Sequence, residues 1–174
     1  MSTTANIGNL SATRTRMIVA LALIYMVFAI LLNSVGTVIL QSMASFGVDK
    51  PQASLLELFK DLPIAITSFV VASFLPLLGY RRAMMGALTI VGGACLLMPM
   101  FPGFHTTEFL FACVGVAFAL AKVAVYSSIG LLTADRAEHS RLTNTIEGLF
   151  MVGVLAGGWL FICHFSESAR PPPG

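Results

Sequence analysis

Charge is what this sequence has least of. Only 10% of its 174 residues are Asp, Glu, Lys or Arg, while 57% are hydrophobic; an ordinary soluble domain carries roughly 25% charged residues. A chain with a mean hydropathy of +0.89 does not stay in water. Basic excess is missing too: ten Lys and Arg against eight Asp and Glu leave a formal net charge of +2. That cannot neutralise a run of phosphates, so no nucleic-acid partner is expected. Cysteine is scarce, and Cys95, Cys113 and Cys163 lie in apolar runs without paired spacing, which excludes a disulfide framework or a zinc site. His105, His139 and His164 fall at loops or span ends without metal-ligand spacing, so neither metal nor cofactor is expected. A phosphate loop closed by Lys-Ser or Lys-Thr, a Gly-x-Ser-x-Gly nucleophile and a His-Glu-x-x-His pair are all missing, and the chain reads as no enzyme.

What is present is a succession of uncharged stretches. Met17 to Leu40 is 24 residues without a charge, long enough at about 1.5 Å per residue to cross a hydrocarbon core of about 30 Å. It exceeds the apolar core of a secretory signal and has no small-x-small cleavage site at its end. Further stretches follow, and the sequence predicts an all-α membrane protein with five transmembrane helices, at about 17–40, 54–78, 83–100, 108–132 and 142–163. The connections are short and leave no room for a soluble domain.

Cytoplasmic loops of membrane proteins carry the excess of Lys and Arg. Arg14, Arg16, Arg81, Arg82, Arg136 and Arg141 fall on one side of the predicted spans, and Lys50 and Arg170 on the other. Residues 1–16 are therefore expected as a polar cytoplasmic tail, and 166–174, ending in Arg-Pro-Pro-Pro-Gly, as an extracytoplasmic loop cut short.

Charges at membrane depth carry the candidate chemistry, because each costs about 2.5–3.5 kcal/mol at a helix centre and so needs a partner or a cavity. Lys122 has 13 uncharged residues before it and 12 after it. Gly115, Ala119, Tyr126 and Thr133 share its helical face, which marks a cavity or a helix seam. Two readings stand for Lys122: a substrate or proton site, and a structural ion pair. Glu57, Lys60 and Asp61 cluster in the second span, where Glu57 and Lys60 can pair at i,i+3. Asp61 then sits one turn from a like charge, a setting that favours its holding a proton; the plainer alternative pairs it with Lys60. Pro63 leaves the carbonyl of Phe59 without a helical donor and is expected to bend this end. Glu147 lies within about 6 Å of the depth of Lys122, and a Lys122–Glu147 pair is expected. Three acids with two lysines cannot be neutral when all are ionised, so a bound proton or a substrate charge must complete the group, which points to proton coupling. Asn33 and Ser34 interrupt the first span and serve either substrate or interhelical hydrogen bonding; Gly153 and Gly157 form a Gly-x-x-x-Gly packing spacing.

The stretch Phe74-Leu-Pro-Leu-Leu-Gly79-Tyr80-Arg81-Arg82-Ala83 resembles the cytoplasmic Gly-x-x-x-Asp-Arg-x-Gly-Arg-Arg turn between helices two and three of major facilitator superfamily transporters. Gly79 and the Arg81-Arg82 pair match its second half, whereas Pro76 and Leu77 stand at its acidic and first arginine positions. Phe111 to Ser128, with Arg141-Leu142-Thr143-Asn144, is similar to the fucose permease type of sugar-proton symporters, in which the fourth helix carries a proton-coupling acid where this chain has Lys122.

The resemblance implies the incomplete amino-terminal six-helix bundle of that fold, two inverted three-helix repeats that face a second half across the substrate. It implies a multi-pass protein of a cell membrane, such as a bacterial inner membrane. Its partners would be a small solute, a proton or other coupling ion, the lipid bilayer and the missing carboxy-terminal helices. The implied function is secondary active transport by alternating access. The alternative is a small five-span protein that acts through a partner protein.

Overall fold

The computed structural model describes residues 2–47, 50–101 and 103–168. Among them all regular structure is helical, in five helices: α1 (Ser2–Phe46), α2 (Lys50–Leu78), α3 (Tyr80–Leu97), α4 (Phe104–Leu132) and α5 (Arg136–Ser168). The helices overrun most of the apolar stretches, since a helix once nucleated gains one hydrogen bond per added residue and continues into polar sequence. The polar tail is helical from Ser2, and the stretch expected as a terminal loop is helical through Ser168, with 169–174 outside the described residues. The third helix ends at Leu97 rather than near Met100. Pro99 has no N–H to donate, and the N–H groups of Met100 and Phe101 both turn back to the Leu97 carbonyl, at 3.1 and 3.2 Å.

Three helices contain segments long and apolar enough to cross a membrane: Ala12–Ile39, Ser54–Leu75 and Phe104–Leu132. Their outward faces fit hydrocarbon, as Phe69 and Leu77 on α2 are 86% and 84% exposed. The chain is a helical membrane protein. In α3 the first turn is Tyr80-Arg81-Arg82, and α5 carries Arg141, Asn144, Glu147 and several glycines, which dilutes the hydropathy of both.

At the centre lies α4, which buries Phe111, Val114, Ala117, Phe118, Ala121, Ala124, Val125 and Ile129. Its alanines admit close neighbours, and α3 answers with its own small stripe, Ala83, Ala87, Val91 and Ala94. The two largest interfaces are α2 with α4 and α1 with α5, followed by α3 with α4; α1 meets α4 more narrowly, and α1 only touches α2, as α4 only touches α5.

Both large pairs run parallel. Along α1 and α5, Tyr25 meets Glu147 and Asn33 meets Val154; along α2 and α4, Leu56 clusters with Phe111 and the Lys60 carbonyl faces Gly115. Exchanging α1 with α4 and α2 with α5 therefore turns one large pair into the other, of opposite direction, and maps the α1–α4 contact onto itself. Each pair closes on a glycine. A Cβ at Gly115 would run into the Lys60 backbone carbonyl, and one at Gly153 would come 2.9 Å from Met26 Cγ and 3.0 Å from Ala29 Cβ. Gly157 lies against Ile30 and Asn33, so Gly153 and Gly157 form the packing seam their spacing predicts.

Candidate functional site

Between the two pairs opens a cleft of about 400 Å³. Its walls are Leu32 and Asn33 of α1, Lys60, Asp61 and Ile64 of α2, Phe118 of α4, and Phe150 and Val154 of α5. Three residues singled out from sequence, Asn33, Lys60 and Asp61, thus share one space. Asn33 Nδ2 donates to the Val154 carbonyl at 3.0 Å, which ties α1 to α5 at the cleft wall and makes the interhelical bond its spacing allowed. Ser34 caps its own turn, donating to the Ile30 carbonyl at 2.8 Å.

Lys60 does not pair with Glu57. It takes Asp61 at 3.2 Å, with the lysine side chain 14% and the aspartate 60% exposed. Lys60 is held where α2 crosses Gly115, and Glu57 is exposed and outside the cleft lining. Helix α2 runs unbroken through Pro63.

Deeper along α1, α4 and α5 lies an aromatic cluster that the sequence reading did not single out as a unit. The rings of Tyr25 and Phe118 stack with centroids 6.2 Å apart and planes 7° from parallel; Phe150 lies 4.6 Å from Tyr25 and 6.0 Å from Phe118. Phe118 and Phe150 therefore join this cluster to the cleft wall. Tyr25 is buried, and a buried phenol needs a hydrogen-bond partner. It donates to Glu147 Oε1 at 3.1 Å, and the Tyr126 hydroxyl donates to the same oxygen.

This arrangement corrects the expected Lys122–Glu147 pair. Glu147 is occupied by two phenols, and no carboxylate among the described residues lies within salt-bridge distance of Lys122. The Lys122 ammonium sits instead 5.7 Å from the Phe118 ring centroid and 6.0 Å from that of Tyr126, where ring quadrupoles attract a cation. Tyr126 so touches both charges, one with its face and one with its hydroxyl.

Protein-family models, curated proteins and solved structures were all compared with the chain, and none matches. What the site does is read from its own residues.

Gly79, Arg81 and Arg82 stand elsewhere, at the end of the bundle where Arg14 bonds Glu138. Gly79 is the whole connection between α2 and α3; its φ of 83° is a conformation that L side chains rarely adopt. Its N–H donates to Leu75 and its carbonyl accepts from Ala83, at 3.0 and 3.1 Å, so the chain reverses in one residue. The Arg14–Glu138 pair joins the fourth turn of α1 to the first turn of α5. Among residues the sequence reading missed, Tyr25 alone gave a signal, as the one tyrosine of the first apolar stretch; Phe118 and Phe150 look like any core residue.

Proposed function

We propose that the chain is the amino-terminal part of a secondary transporter of small solutes, built like the major facilitator type, with five membrane crossings, a cytoplasmic N-terminus and proton coupling. The observation that carries this reading is the exchange relation of the helices around a cleft: two parallel pairs of opposite direction, α1 with α5 and α4 with α2, as inverted repeats would give. The cleft offers a solute polar groups at Asn33, Lys60 and Asp61 and aromatic faces at Phe118 and Phe150. Glu147, gripped by two hydroxyls beside an ammonium that no carboxylate of the described residues neutralises, supplies a proton acceptor whose partners shift when the helix pairs rock. Basic residues gather at one end, which makes that end cytoplasmic.

The same exchange leaves one face without its counterpart. Helix α3 covers α4, while among the described residues no helix does the same for α1, whose face bearing Val19, Leu23 and Val27 is open. In the transporter reading a sixth helix covers it; in the alternative reading, a five-span protein working through a partner, a helix of that partner does.

The test is solute-driven proton movement. Membrane vesicles containing the natural protein should alkalinise or acidify when a panel of sugars, amino acids and organic anions is added. Glu147→Gln should abolish the proton signal while solute exchange persists, and Lys122→Met should reduce uptake with folded yield retained. Full uptake and full proton flux in both variants, with only yield lowered, would sink the reading.

A further inference from the structure

A second cleft, of about 550 Å³, lies at the arginine-rich end, between α1 at Met17, the α2–α3 turn and the end of α4. Its rim holds Tyr80, Arg81 and Arg82, and its walls are Met17, Leu77, Leu131 and their neighbours. Both arginines are exposed, and no carboxylate of the described residues lies within salt-bridge distance of either. Leu77 and Leu131 face outward at 84% and 70% exposure, so the groove continues into the apolar surface. Since the apolar segments Ser54–Leu75 and Phe104–Leu132 end here, the rim stands at the level where hydrocarbon meets headgroups. Two exposed positive charges above an open aliphatic channel complement a ligand with a negative head and a hydrocarbon tail.

We infer that this cleft binds an anionic phospholipid, with its phosphate between Arg81 and Arg82 and an acyl chain along Leu77 and Leu131. This rests on the membrane reading and not on transport. A free phosphate would use the arginines without the channel, and a neutral lipid the channel without the arginines.

The purified full chain in detergent should gain thermal stability from phosphatidylglycerol, by roughly 2–6 °C at saturation, and not from phosphatidylcholine or inorganic phosphate. Arg81→Gln with Arg82→Gln should lose most of the gain, Arg81→Lys with Arg82→Lys should keep part of it, and Arg136→Gln with Arg141→Gln should keep it all. An undiminished gain in the first variant, an equal gain from inorganic phosphate, or an equal loss in the last variant overturns the site. A second measurement leaves the arginines intact: with Trp159→Phe and Leu77→Trp, brominated phosphatidylglycerol should quench fluorescence more strongly than brominated phosphatidylcholine, and equal quenching overturns the site. Failure to float with phosphatidylcholine vesicles would reject the membrane reading along with it; flotation without headgroup preference rejects the site alone.

Discussion

Arg14 and Glu138 come from the first and last helices and meet at the arginine-rich end of the bundle. The Arg14 hydrogen bond, helped by the Ala134 backbone N–H at 3.4 Å, holds the Glu138 carboxyl below its usual value of 4.5. A carboxyl lowered by folding stabilises the fold above its unfolded pKa, and that contribution is lost as pH falls through the folded value. Glu138→Gln should therefore lower Tm at pH 7, and its gap from the parent protein should close as pH falls below about 4.5; a gap that is unchanged from pH 7 to pH 3 would count against the bond. No sequence pattern announces this pair, because two surface charges far apart in the chain share no spacing. Lys122 and Glu147 were legible for the opposite reason, since a charge amid apolar residues stands out. Their partners were not, because aromatic side chains such as Phe118 look alike whether they fill a core or face an ammonium.

At the scale of the element, the crossings set by Gly115 and Gly153 decide how closely the parallel pairs approach. Gly153→Leu would drive its side chain into Met26 and Ala29, and the overpacking should destabilise the α1–α5 pair by about 1–3 kcal/mol. Gly148→Leu is the matched control, since nothing lies within 4 Å of a Cβ there. Thermal unfolding in detergent should separate the two, and equal losses would reject Gly153 as a contact point. That the chain forms helices, and about where, followed from its apolar stretches. Their ends did not, because residues such as Lys50 and Arg136 are compatible with either loop or helix, and only continued hydrogen bonding extends the helix to include them.

For the whole molecule, orientation can be read directly. With the native cysteines replaced, a cysteine at Ala137 should react with an impermeant maleimide only from the cytoplasmic face, and one at Thr106 only from the other; the reverse pattern would invert the topology proposed above. Which helices pair was not legible, because α2 and α4 are apolar around much of their circumference and periodicity gives no facing direction. The glycines named the contact points but not the partner helices.

The single-residue turn at Gly79 leaves no slack between α2 and α3. Two rods joined at one residue share the position of that joint, so any displacement of this end of α2 must carry the first turn of α3 with it. On the transport and lipid readings proposed above, Arg81 and Arg82 would then act as a pointer on the bilayer surface, and lipid composition there would be a mechanical load on the movement of α2.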